Sequence, residues 1–337
     1  MNFSEHPKNE SFHLDHFSNI FKTTNMNTRK IRILGINPWI YDFAAFDLWL
    51  APLGLLSILN GFRLAGADID FIDCLKQKTT KKFGTGFFER NRVPLRSDIR
   101  IEDRYFARYG ISINDFIQQL HTRFESEGPD LILITTLMTY WYPGAFKAIQ
   151  LCKQIFPKTP IWLGGRYASS CYAHAVENSE AEYVVKQKCF EDPLVKKWAS
   201  DQKFNPEKLK ESINLCKASS LLQHQNFRVI GASVGCPYQC TYCTQGNDNI
   251  PFYQREIDQI IDEIDCYVFE EHISDIAFYD DAFLVKRQSH FVPLAKKMIQ
   301  KYSKHNVRFH VPNAIHASMI DEETAQLLFT ANFKTIR

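Results

Sequence analysis

The sequence predicts an α/β protein in two parts: a doubly wound parallel sheet, then a run of β/α units that starts a barrel. Three observations predict it. Short apolar runs of strand length alternate with longer segments of helical periodicity. A polar, lysine-rich stretch from Trp198 to Asn226 breaks that alternation once and reads as a linker. Just after it, the apolar run Arg228–Val234 delivers three closely spaced cysteines, and sites in parallel α/β sheets form at the carboxyl ends of strands.

Taken in order, residues 1–29 are polar and His-rich, without the apolar core of a signal peptide, and read as a disordered tail rather than a metal tract of His6, His13 and His16. Residues 30–198 form the first domain. Ile31–Ile36 is a buried strand closed by an Asn37-Pro38 turn, Leu53–Ala65 a helix, and Asp68–Asp73 a strand with alternating apolar residues. Ser112–Glu127 is a helix with Ser112 or Asn114 as N-cap. Leu131–Thr135 is a strand, Gly144–Phe156 a helix, Ile161–Leu163 a strand ending at Gly164-Gly165, and Tyr183–Val185 a short strand. The linker covers 199–226. In 227–337 the strands are Arg228–Val234, Asp275–Tyr279, Val307–Val311 and the start of a fourth at Phe333–Ile336. The helices between them are Glu256–Glu270, Ser289–Tyr302 and Asp321–Leu328. Ile257, Ile260, Ile261, Ile264 and Val268 line one face of the first, and Asp321 caps the last, with Glu322 and Glu323 in its favourable first turn.

Composition narrows the class. At 337 residues the chain has room for about two domains, and 45% hydrophobic with 23% charged residues is ordinary for a globular protein. A net charge of +2 makes no case for nucleic acid or a membrane surface as a general partner. The longest uncharged run, Leu48–Phe62 with Pro52 inside it, is too short to span a bilayer. Nine scattered cysteines, an odd number, argue for a reducing, cytoplasmic setting, with Cys74, Cys152, Cys171, Cys189, Cys216 and Cys266 as buried small apolar residues. The segment 76–108 carries ten Lys/Arg against four Asp/Glu, interleaved with Phe83, Phe87, Phe88, Tyr105 and Phe106. It reads first as a solvated excursion packed down on the sheet, and second as a clasp for an anion.

Cys236, Cys240 and Cys243 carry the chemistry, in the run Gly-Cys-Pro-Tyr-Gln-Cys-Thr-Tyr-Cys. Three thiolates at C-x3-C-x2-C spacing can ligate three irons of a [4Fe–4S] cluster from one short loop and leave the fourth iron open. A structural zinc site wants a second C-x2–4-C unit or an H-x3–5-H, and His224 and His272 stand alone. A ferredoxin wants a fourth cysteine nearby, and the one later cysteine, Cys266, falls inside a helical pattern.

With Tyr242 directly before the last cysteine, the run resembles the C-x3-C-x-aromatic-C motif of the radical S-adenosylmethionine (radical SAM) superfamily. The resemblance implies that the open iron chelates S-adenosylmethionine and that its reductive cleavage gives a 5′-deoxyadenosyl radical. It also implies an external electron donor such as flavodoxin or ferredoxin, sensitivity to oxygen, and a substrate that no residue names. Asp280 and Asp281, closing the second strand, stand where the family holds the S-adenosylmethionine ammonium; Asn313 is a further candidate for the ribose or carboxylate.

The first half resembles the Rossmann-like cobalamin-binding-type domain that precedes many radical SAM cores. Trp49-Leu-Ala-Pro52-Leu-Gly54-Leu-Leu, then Ala65-Gly66-Ala and Ile72-Asp73, match its first strand-helix-strand. Thr135-Thr136-Leu137 stands in place of an S-x-L element and Gly164-Gly165 in place of the later Gly-Gly; there a small hydroxyl lines the slot for the nucleotide tail and glycines let it pass close to backbone. The D-x-H-x-x-G element is missing, for its place reads Asp73-Cys74-Leu75-Lys76-Gln77-Lys78 and offers cobalt no imidazole. Cobalamin bound without a protein ligand and a domain that keeps only the fold both stay open. After Cys243 the chain has room for about three β/α units, fewer than the resembling core, so the barrel reads as incomplete, with a second chain as one way to complete it. The expectation is a radical SAM enzyme, with cobalamin-dependent methylation as the finer reading. Its rivals are a non-catalytic iron–sulfur fragment and a zinc-stabilised scaffold.

Overall fold

The computed structural model describes residues 29–46, 49–80, 86–94, 105–124, 127–186, 188–210, 215–216, 221, 226–243, 251–313 and 315–337. The tail expected at 1–29 lies outside them except for Arg29, as do His224, Phe83 and Gln187.

Among the described residues ten strands precede the linker: β1 (Arg32–Asn37), β2 (Ile40–Asp42), β3 (Asp68–Asp73), β4 (Gln77–Thr80), β5 (Gly86–Phe88), β6 (Arg90–Arg92), β7 (Ala107–Tyr109), β8 (Leu131–Ile134), β9 (Ile161–Leu163) and β10 (Tyr183–Val184). Five of them form one parallel sheet in the order β10-β9-β8-β1-β3. Counted along the chain this is 2-1-3-4-5, a doubly wound order whose ligand crevices lie beyond the carboxyl ends of the strands. All four residues of β8 are buried because helices cover both faces of the sheet. On one side Phe116 and Leu120 of helix Ile113–Arg123 and Ala148 and Ile149 of helix Tyr142–Ile155 pack against Leu34, Ile36, Ile132 and Ile134. On the other, helix Leu53–Leu64 sits so close that a Cβ on Gly35 of β1 would meet Leu59 at 2.4 Å.

Ser112 is the N-cap of helix Ile113–Arg123, its hydroxyl accepting the Asp115 N–H at 3.0 Å. Ser112→Ala should cost about 1 kcal/mol, read as a lower midpoint in denaturant unfolding. The described parts of the basic excursion form the β4–β5 hairpin and, with β2, the antiparallel sheet β2-β7-β6, beside a cluster of Ile40, Leu75, Phe88, Ala107 and Tyr109. This is the packed-down reading, although Tyr105 stays exposed beneath the Arg92 guanidinium. Helices Pro193–Asp201 and Pro206–Lys210 run through the first part of the stretch read as linker. Phe62 explains them, since Trp198 and Phe204 pack on it at 5.8 and 5.7 Å between ring centroids.

The second half holds β11 (Phe227–Ile230), β12 (Ser233–Val234), β13 (Tyr253–Gln254), β14 (Asp275–Phe278), β15 (Arg308–Val311) and β16 (Phe333–Ile336). β11, β14, β15 and β16 form a parallel four-stranded sheet with helices Ile257–Asp265, Phe291–Tyr302 and Glu322–Thr330 as crossovers. Asp321 caps the last helix, accepting the Thr324 N–H at 2.9 Å. Phe278, Phe283, Phe291, Phe309 and Phe333 pack edge and face between sheet and helices. The opposite face is met by the first half. Trp49, at φ +64°, stacks on His310 at 3.6 Å and packs edge-on to Phe227. Ala51 N–H donates to the Tyr279 hydroxyl at 3.0 Å, and that hydroxyl donates to the Trp49 carbonyl.

Three expectations need correction. The single strand Arg228–Val234 is two, broken at Gly231-Ala232, and the helix Glu256–Glu270 turns π-helical over Cys266–Glu270. Cys74 and Cys152 are buried as expected, but Cys171 and Cys189 are only half-buried, and Cys216 and Cys266 are joined in a disulfide, because Leu215 and Cys216 lie against the end of the Ile257–Asp265 helix. Among the described residues no helix is long and apolar enough to cross a membrane.

Candidate functional site

The cysteine loop hangs from the end of β11. Asp280, 2% exposed at the end of β14, accepts the Ala232 N–H at 2.9 Å and the Ser233 hydroxyl at 2.5 Å. From the far side of the loop, Arg255 donates its backbone N–H to the Ala232 carbonyl at 2.9 Å and a guanidinium N–H to the Gly231 carbonyl at 2.8 Å. Its buried charge is paired with Glu263 at 2.7 Å. Ser233 and Val234 pair with Gln254 and Tyr253, and Gly235 at φ +75° turns the chain out of that short ladder into Cys236. The Cys243 N–H then closes on the Cys240 carbonyl at 3.0 Å.

Cys236, Cys240 and Cys243 are free and half-buried. Burial pushes the Cys236 thiol up, with Asp281, Cys243 and Cys240 adding to the rise and a hydrogen bond from the Tyr238 backbone opposing it. Metal binding there must therefore release a proton. Among the described residues, Cys216, Cys266 and Glu270 are the one trio of ligand atoms within 4.8 Å of one another, so the three loop sulfurs stand wider apart. A single tetrahedral ion draws its sulfurs to about 3.8 Å. Three separate irons of a cluster do not, and the donor set of thiolates alone suits an iron–sulfur cluster. Tyr242 is 90% exposed.

The carboxylates flanking the loop differ in duty. Burial lifts Asp280 to about 6, against the opposing pull of its bonds from Ser233 and Ala232. Asp280 is thus committed to holding the base of the loop. Its pKa is higher folded than unfolded, so its stabilisation is complete below the unfolded value and is lost as pH rises through about 6. Against Asp280→Asn, wild-type stability should fall by about 2.5 kcal/mol between pH 4 and pH 7, and paired urea titrations across that range check it. Asp281 has an open surface, yet the surrounding protein raises its pKa, with the Arg166 charge opposing. Its charge acts on Cys236, and its exposure makes it the better placed of the pair to meet a ligand. Asn313 donates to the Tyr279 carbonyl at 3.2 Å and so ties the ends of β14 and β15 together.

The two sheets meet at helix Leu53–Leu64: a Cβ on Gly231, at the end of β11, would lie 3.9 Å from Leu53, and Gly54, Leu55 and Ile58 of the same helix border a cavity in the first half. This cavity, of about 270 Å³, opens beyond β8, β9 and β10. Thr135, Gly164 and Gly165 line it; Leu137 does not. Thr136 is turned away, its hydroxyl accepting the Tyr167 N–H at 3.0 Å and donating to the Gly164 carbonyl at 3.4 Å. A Cβ on Gly164 would have no atom within 4 Å, whereas one on Gly165, at φ +89°, would meet the Thr136 backbone at 2.4–2.5 Å. The remaining walls were not foreseen: apolar Leu55, Ile58, Trp162 and Val185, and a mouth carrying Arg166, Lys186 and Lys188. Arg166 follows the Gly-Gly step directly, which was the available signal.

No family model and no curated protein matches the chain. Among solved structures it is similar to the radical S-adenosylmethionine methyltransferase TsrM from Kitasatospora setae, determined with cobalamin and a [4Fe-4S] cluster bound. The TM-score is 0.62 at 16% identity, over 91% of this chain and 60% of that one. The likeness establishes a shared fold, and the chain spans about 60% of the neighbour's length.

Proposed function

We propose that this chain is a radical SAM protein whose three-thiolate loop faces a cobalamin pocket, and that it serves radical methylation. The observation that carries the reading is a pair of independent sites joined through helix Leu53–Leu64, which borders the cavity and approaches Gly231 at the base of the cysteine loop to 3.9 Å. A loop of three free cysteines ends the first strand of one parallel sheet, and a cavity with a glycine-open wall lies beyond the strands of the other. The fold shared with TsrM supports it, since that protein is a methyltransferase holding both cofactors.

Cys236, Cys240 and Cys243 would hold the cluster, and Asp281 would meet the S-adenosylmethionine ammonium. Thr135, Gly164 and Gly165 would admit the cobalamin nucleotide arm, for which a cavity of about 270 Å³ is suited while the whole cofactor is not. When bound, the cluster supplies the electron that cleaves S-adenosylmethionine, and cobalamin carries a methyl group. The chain's own part is positional: Asp280 and Arg255 fix the loop, and the Trp49–His310 stack fixes one sheet against the other. An external electron donor of the flavodoxin or ferredoxin kind and a cytoplasmic setting belong to the same proposal.

The test is anaerobic reconstitution with iron, sulfide and cobalamin, then reduction with S-adenosylmethionine. The reading expects cobalamin retained at one per chain and 5′-deoxyadenosine released. A cluster that binds while S-adenosylmethionine stays intact overturns the catalytic reading and leaves an iron–sulfur-binding protein.

A further inference from the structure

The Cys216–Cys266 disulfide lies outside everything assigned so far, and its position is informative. It spans 50 residues of sequence, and the loop it closes contains β11 and all three cysteines at 236–243. One end, Cys216, belongs to the crossover between the halves; the other begins the π-helical turn Cys266–Glu270. π-Turns in α-helices frequently mark functional positions. Here the turn sets a Glu270 carboxylate oxygen 3.8 Å from the Cys266 sulfur, within 4.8 Å of both sulfurs. The neighbouring Leu215 N–H donates to buried Glu263 at 3.3 Å, so a hydrogen bond and a covalent bond hold Leu215 and Cys216 side by side against this helix.

We infer that Cys216 and Cys266 form a reversible thiol–disulfide site, opened by a dithiol reductant, that fastens the crossover to the cysteine-bearing half. The two sulfurs are unequal. Cys266 is 6% exposed and Cys216 half-buried, so an incoming thiolate reaches Cys216. The S–S bond breaks as the reductant's sulfur bonds to Cys216 Sγ, and the Cys266 thiolate leaves and takes a proton. The reductant's second thiolate displaces Cys216, which is protonated in turn. Two electrons pass from dithiol to protein, giving two protein thiols and an oxidised reductant. The Glu270 carboxylate opposes the departing Cys266 thiolate and slows the exchange. The pair also shares the chain with seven unpaired cysteines, of which Cys74 and Cys152 are buried out of reach of an incoming disulfide. A cross-link that coexists with so many thiols suits cycling with the redox poise.

The test uses the full chain equilibrated anaerobically in mixtures of oxidised and reduced dithiothreitol, then acid-quenched, alkylated and peptide-mapped. The Cys216–Cys266 peptide should appear and vanish reversibly across the series. Trypsin cleavage after exposed Lys208 should rise about tenfold on reduction, following the opened population. Cys216→Ser and Cys216→Ala should both show the fast rate in every buffer, and Glu270→Gln should be reduced several-fold faster. A pair that stays reduced throughout and retains zinc one-to-one, lost in Cys266→Ser, overturns the inference in favour of a metal site. Equal cleavage in both redox states overturns the fastening role.

Discussion

Cys243→Ala should eliminate S-adenosylmethionine cleavage in the reconstituted protein and reduce bound iron and sulfide together. Losing a partner one shell out from a metal typically costs about 10–100-fold in affinity or activity. Losing a ligand from a set of three, with no fourth cysteine placed to replace it, should cost more. Cys236 and Cys240 sit in the same loop, and the one later cysteine, Cys266, lies past helix Ile257–Asp265 beside Cys216, so no other thiol of the loop stands in. The loop's frame survives the substitution: Asp280 still holds Ala232 and Ser233, and Arg255 still holds Gly231. Far-ultraviolet circular dichroism and the melting temperature should therefore match wild type while iron, sulfide and 5′-deoxyadenosine fall. A variant that keeps full product would remove Cys243 from the metal set. One that loses its melting transition would show the cysteine acting on the fold.

What the sequence revealed follows from the range of the forces involved. Strands such as Leu131–Ile134 and caps such as Ser112 and Asp321 depend on a few neighbouring residues, and their pattern was readable. The cysteine motif was readable because its ligands lie within one loop. The break at Gly231-Ala232 was not, because Asp280, far along the chain, pulls that turn into shape. Nor was the insertion of Trp49, whose left-handed backbone is repaid by a stack on His310 and the Tyr279 bonds. The Cys216–Cys266 pairing needs a long loop to close, and cysteine parity pointed away from it. The cationic mouth of the cavity gathers Arg166, Lys186 and Lys188 from two different strand ends. Sequence spacing flags neither residues brought together by topology nor a carboxylate turned to structural duty.

The adjacent glycines of the cavity should separate binding from folding. Gly164→Leu places a side chain where a Cβ meets nothing within 4 Å and where the wall opens on the cavity. Its melting temperature should stay near wild type, while retained cobalamin falls at least about tenfold as the side chain fills the space of the ligand arm. Gly165→Ala should do the reverse kind of damage. At φ +89° any side chain is strained, and the added Cβ lies 2.4 Å from the Thr136 carbonyl oxygen and 2.5 Å from its nitrogen, backbone atoms that cannot yield. Left-handed strain and overpacking together should cost about 3–5 kcal/mol, visible as a clear drop in melting temperature with or without ligand. Thr136 also anchors Tyr167 and the Gly164 carbonyl, so displacing it loosens the ends of β8 and β9 together. Gly164→Leu with unchanged cobalamin retention would put the ligand elsewhere. Gly165→Ala with unchanged stability would mean that the turn after β9 relaxes away from Thr136.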